Sequence, residues 1–380
     1  MLTLPNYRER AAKPGQWQHV PVSVVLHVGL PKTGTTYLQR LLADHRDRLR
    51  EAGVLYPFLR PAAMFEAAVE VRGSAAKFGL DPRRIAGTWA ALCARAGDFD
   101  GTTVISHEVL AGATVDQVAA ALEPLQGLEV HVVVTARDLG RQATAHWQEE
   151  VKLGATMSFA EFERDQLRAD TGRDAGPDAG GVRPHFWHAQ DFADALRRWS
   201  NGLPPEHAHL VIAPPPGAPR DQLWLQYAAA LGVDPAAVDP LAIPASNPSL
   251  GAPEIALVRA VNQALGDRLP AGVRNRIVKR EWAEGVLAAR DTPRPRTPAA
   301  LLETLAAPTR RWVDEVRAAG YAVHGDPADL IPVTGGPGEP APDQPAPPEA
   351  DPVALADELV TRAGGRKGLL GRALRRAAGP

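Results

Sequence analysis

Short, nearly continuous apolar runs alternate with amphipathic stretches along the first two thirds of this chain. Val22 to Val28, Thr102 to Ser106, Glu129 to Thr135 and His209 to Ala213 read as buried strands. The third of these places Val130, Val132, Val133 and Val134 almost in succession. After the first strand, Leu38, Leu41, Leu42 and Leu49 recur at helical spacing from Thr35 onward, with Gly53 as a stop. Pro214 to Pro219 forms a rigid turn into a second amphipathic stretch, Gln222 to Leu231. Strands apolar on both sides, each followed by a helix, specify an α/β fold: a parallel sheet with helices on both faces and a single main domain. In such open sheets ligands bind beyond the carboxyl ends of the strands, so the residues that end each strand are the candidates for chemistry.

Composition narrows the picture. The chain has 380 residues, 45% of them hydrophobic, enough for one large domain with appendages. A net charge of −2 gives no basic excess for nucleic acid and favours a small-molecule partner. One cysteine, Cys93, excludes an intrachain disulfide and fits a reducing, cytoplasmic setting. No run approaches the roughly 18 apolar residues of a membrane span, and residues 1–20 read as an N-terminal extension without a signal-peptide core. The 34 glycines and 36 prolines cluster. Residues 334–352 read as a flexible linker, so the domain is expected to run from 21 to about Val333, with 353–380 a basic amphipathic tail able to touch an acidic surface or membrane. Residues 170–184, rich in Gly and Asp, read as a surface loop or mobile lid.

The most informative segment joins the first strand to its helix: Gly29-Leu30-Pro31-Lys32-Thr33-Gly34-Thr35-Thr36-Tyr37. A small, hydroxyl-rich turn at a helix start presents backbone N–H groups and the positive end of the helix dipole, and Lys32 adds a mobile ammonium. That is an anion cradle. A Walker loop places Lys after its second Gly, whereas Lys32 precedes Gly34, so the triphosphate signature is absent. The alternative reading of the turn is helix capping, which accounts for one Thr but not for Lys32, Thr33 and Thr36 together.

Pro31 to Thr36 resembles the 5′-phosphosulfate loop of sulfotransferases, Pro-Lys-Thr/Ser-Gly-Thr-Thr, at every position. The resemblance, to bacterial and in its Ala- and Arg-rich usage actinobacterial members, is weaker at Val104 to Glu108 and Val130 to Lys152. It implies a P-loop-like sheet and transfer of a sulfuryl group from 3′-phosphoadenosine 5′-phosphosulfate (PAPS) to a hydroxyl or amine of a small-molecule, sugar or lipid acceptor, without a metal. Lys32 would neutralise the leaving oxygen. Pro31, Lys32, Thr33, Gly34, Thr35 and Thr36 would hold the phosphosulfate, and Tyr37 would either stack on adenine or pack in the helix core.

The same resemblance implies that Arg137, at the end of the third strand, holds the 3′-phosphate. The Ser that should follow on the next helix is replaced by Ala145, leaving Arg141, favoured, or Thr144 to supply the donor. At the end of the second strand, Glu108, favoured, or His107 would serve as general base. His27 reads as a satisfied core or site-edge histidine rather than a catalyst. Phe186 to Asp191 is a candidate acceptor lining, while Trp199 and Trp224 should pack on the sheet. The tail sequence Arg366-Lys367-Gly368-Leu369-Leu370-Gly371 matches a family phosphate loop but lies too far along the chain to be read as one. Two other classes stay open: a Mg²⁺-dependent phosphotransferase that would share the cradle, and a non-catalytic nucleotide-binding or scaffold protein.

Overall fold

A computed structural model describes residues 23–168, 184–243, 249–290, 292–332, 340–347 and 350–365. Six strands form one parallel sheet: β1 (Ser23–His27), β2 (Val54–Leu55), β3 (Thr102–Ser106), β4 (Glu129–Ala136), β5 (Ala208–Ile212) and β6 (Ala322–His324), in the order β2-β3-β1-β4-β5-β6. β1 pairs with β3 and with β4, His27 lying opposite Ser106 on one side and Val133 on the other. The chain leaves β1 toward β2 and leaves β4 toward β5. The sheet order therefore switches direction between β1 and β4, where the strand ends open a crevice.

Alternation along the strands fills two cores. Val25, Val104, Val133 and Val211 face a compact layer made by α1 (Thr35–Asp44) and α2 (Gln222–Leu231), with Leu38, Leu41, Trp224 and Tyr227 at its centre. Val24, Leu26, Val132, Val134 and Leu210 face a larger layer that includes α3 (Ala252–Leu265) and the long α4 (Ala299–Ala318). Trp199 and Trp224 are fully buried, as expected, donating to the carbonyls of Leu110 and Pro235. The four internal strands follow the sequence expectation closely. The edge strands β2 and β6, two and three residues long, are too short for alternation to declare itself.

The expected boundary near Val333 does not mark the end of the packing. Helix α5 (Pro352–Gly365) lies against α3, burying Ala356, Leu359 and Ala363 in the larger core. Asp343, inside the segment read as a linker, accepts from the N–H groups of Phe159 and Ala160 at 2.8 Å each. Small and polar residues between the visible apolar positions hid this docking face. The N-terminal extension, most of the 170–184 loop and the basic residues from Arg366 onward lie outside the described residues. Among the described residues no helix is long and apolar enough to cross a membrane.

Leu359→Ala should cost about 2–4 kcal/mol of stability by opening a cavity, read as a lowered urea midpoint. A detached tail would leave the midpoint unchanged.

Candidate functional site

The ends of β3, β1 and β4 stand side by side, and the loop after β1 occupies the middle. Two glycines shape it. Gly29 (φ +55) could not carry a Cβ, which would lie 2.6 Å from Thr35 Cγ2; Gly34 (φ +98) meets Leu223 of α2 at the same distance. Lys32, between them, holds φ 68 without being glycine, a strained conformation of the kind that persists at functional sites. Gly34 is the N-cap of α1 and no side chain caps the helix, so the capping reading of the threonines fails and the first-turn N–H groups are left for another acceptor.

A chain of hydrogen bonds braces the loop from below. Thr33 donates to the Leu30 carbonyl (2.7 Å), so its oxygen must accept from Thr135 (2.7 Å). Thr135 then accepts from His27 Nε2 (3.3 Å), and His27 Nδ1 accepts from Ser106 (2.8 Å). One tautomer of a neutral His27 satisfies every member. Complete burial lowers its pKa to about 3, bearing out His27 as a core histidine. The expected hydroxyl donor at Thr33 is thereby corrected: the side chain is 1% exposed and committed inward. Thr35 is also buried, while Thr36 is exposed. Pro31 is pinned by its carbonyl, which accepts from Gln142 at 2.8 Å and from Gln190 at 3.5 Å.

Lys32 pairs with Glu149, which also binds Lys279 and, at 3.1 Å, Lys152. Lys152 reaches Glu284 at 3.0 Å. Burial lowers the Lys32 pKa, with Glu149 opposing it. Burial would raise the pKa of Glu149, but the three ammoniums overcome it and hold the carboxylate ionised. Sequence reasoning missed this cluster because Lys279 belongs to a remote helical segment, Asn275–Glu284.

Across the switch point, Arg137 sends Nη1 to the Lys32 carbonyl at 3.4 Å. Its Nε is buried with no hydrogen-bond partner among the described residues, and burial, then the neighbouring Arg141, brings its pKa down to about 10. Arg141 is held by Asp138 and donates to the Pro214 carbonyl at 3.2 Å. Thr144 is corrected: it donates to Thr297 at 2.6 Å, and Thr297 donates onward to the Gly140 carbonyl. That pair locks the helix Leu139–Lys152 to the chain before α4.

On the β3 side Glu108 lies against the loop, its Cβ 3.4 Å from where a Gly29 Cβ would be. It accepts from Gln39 at 3.0 Å. Burial would raise its pKa, yet His107 and these donors bring the net shift down. The two residues do not point apart as strand geometry implies, because a tight 3₁₀ turn begins at Glu108 and brings His107 Nδ1 within 3.7 Å of its carboxylate. His107 Nδ1 accepts from Val109 N–H at 3.2 Å, so in the neutral ring Nε2 carries the proton and offers a donor rather than a base. Tyr37 donates to the Pro240 carbonyl at 3.2 Å and packs on the smaller core. In the proposed acceptor lining, Phe186 and Trp187 are fully buried and Asp191 caps the following helix, leaving Gln190 as the member that reaches the loop.

No protein-family model, no curated protein and no solved structure matches this chain.

The unfolded chain protonates His27 near 6.5, the folded chain only near 3. Between those values unfolding takes up a proton, so His27 removes stability as pH falls through this window, at ~1.4 kcal/mol per pH unit. Urea midpoints from pH 8 to 4 should fall less steeply in His27→Asn than in the parent protein.

Proposed function

We propose that this protein is a sulfotransferase, moving the sulfuryl group of PAPS to a hydroxyl or amine of a small-molecule, sugar or lipid acceptor. The observation that carries the reading is Arg137. Among the described residues its Nε has no partner, and a buried guanidinium bonded to the loop that holds Lys32 and set at the sheet's switch point is a donor that an anion would complete. Pro31, Lys32, Gly34, Thr35 and Thr36 would form the P-loop-like cradle for the 5′ end, using the uncapped N–H groups at the start of α1. Arg137 would take the 3′-phosphate, with Arg141 beside it. Tyr37, tied to Pro240, would shape the cradle's edge rather than stack on the base.

The charge cluster supports a definite role for Lys32. It can leave Glu149 for the oxygen bridging sulfur and phosphorus, because Lys152 and Lys279 still neutralise that carboxylate. Lys32 then stabilises the charge that grows as the sulfur–oxygen bond breaks. Glu108 accepts the acceptor's proton while the acceptor oxygen or nitrogen bonds to sulfur, and 3′-phosphoadenosine 5′-phosphate leaves. The lone cysteine, buried and unpaired, suits a cytoplasmic setting.

Calorimetry with 3′-phosphoadenosine 5′-phosphate should show binding without Mg²⁺, weakened about tenfold or more in Arg137→Ala. Preference for ATP with Mg²⁺ would favour a phosphotransferase, and no binding of either nucleotide a scaffold. In a radiosulfate transfer screen, Lys32→Ala and Glu108→Gln should lose turnover. Glu108→Gln should keep its affinity for the desulfated nucleotide, separating proton removal from binding.

A further inference from the structure

At the opposite end of the sheet, the amino ends of β4 and β5 and the last residue of β6 bring four histidines and a glutamate together. Glu129 and His131 come from β4, His207 from the turn before β5, His209 from β5 and His324 from β6. The ligand atoms of Glu129, His131 and His207 all lie within 4.8 Å of one another, and each residue is partly open to solvent. His131 Nε2 is 2.9 Å from Glu129 Oε1, and the rings of His131 and His207 stack with centroids 4.1 Å apart.

We propose that Glu129, His131 and His207 form a binding site for a divalent metal ion of the zinc class, with water completing the coordination. Two imidazoles and one carboxylate are a donor set that Zn²⁺ accepts, usually with a fourth, exchangeable position. Donors around a tetrahedral ion stand about 3.3 Å apart for bonds of about 2.0 Å, so the stacked rings of His131 and His207 must turn toward a common point to close the triangle around an ion.

The surroundings select for an ion as well. His207 Nδ1 is bonded to the Val130 carbonyl at 3.2 Å, which makes Nδ1 the protonated nitrogen and leaves Nε2 as a lone-pair donor. His131 Nδ1 contacts His209 Nε2 at 3.0 Å, and His209 Nδ1 contacts His324 Nε2 at 3.2 Å. When His131 Nε2 gives its lone pair to a metal, Nδ1–H donates to His209, so the ladder across three strands fixes the ligand's orientation. Such outer partners are the usual support of a metal-bound imidazole. The ion would tie the start of β4 to the turn that enters β5, strengthening the sheet at the pole remote from Lys32 and Arg137. A second trio, His146, Glu150 and His185, differs: its two imidazoles are bonded to each other, His146 Nε2 to His185 Nδ1 at 3.2 Å, and His146 is buried.

Zn²⁺ titrated into the metal-free full chain against a chromophoric chelator should bind at one ion per chain and raise the melting temperature. His131→Gln with His207→Gln should abolish that uptake. Glu129→Gln, a milder change at the exposed edge, should weaken it about tenfold or more. In the parent protein the ring nitrogens of His131 and His207 should shift in the NMR spectrum while those of His27 stay. Absence of uptake, uptake unchanged in both variants, or shifts confined to other histidines would each overturn the site.

Discussion

The relay from Ser106 through His27 and Thr135 to Thr33 crosses the ends of three adjacent strands and finishes on the carbonyl of Leu30. Each member is buried, so each needs a partner, and a single assignment of protons serves them all. The loop above cannot shift without orphaning one of them. That constraint holds Lys32 in a backbone conformation its side chain does not favour, and places its carbonyl where Arg137 can reach. The rigidity is supplied by uncharged groups, which leaves the charged ones free for other work.

Those charged groups fall into two unlike sets, one around Glu149 and one around Arg137. Around Glu149 positive and negative charges nearly balance, and three lysines share one carboxylate. A partner can be surrendered there at low cost, since the carboxylate stays neutralised. Around Arg137 there is no such balance. Its Nε is buried without a partner among the described residues, and the neighbouring Arg141 is already held by Asp138. A doubly anionic ligand spanning the loop and the β4 end would meet one exchangeable cation and one waiting cation. This asymmetry underlies the proposal that Lys32 serves bond breaking and Arg137 anchoring.

The two poles of the sheet are built from different chemistry. The carboxyl pole carries glycines, uncapped helix N–H groups and cations, which suit an anion. The amino pole carries imidazoles bonded in series and a carboxylate, which suit a cation. A parallel sheet makes this separation natural, because every strand begins at one end and finishes at the other.

Much of the framework was legible in the residues themselves. The valine runs of β1 and β4 declared internal parallel strands, and the turn from Pro31 to Thr36 could be placed between β1 and its helix, because both signals are local in sequence. Glu108 and Arg137 were legible once the strand ends were known. What only the tertiary structure decided depends on contacts between distant segments. Thr33 and Thr144 carry hydroxyls that by residue type could have faced a phosphate, yet Thr135 and Thr297 claim them. Lys279 lies 130 residues from Glu149 and still pairs with it, and α5 completes a core that composition had placed outside the domain. A hydroxyl or an ammonium carries no mark of its partner in the linear sequence; burial and distance assign one, and both exist only after the chain has packed.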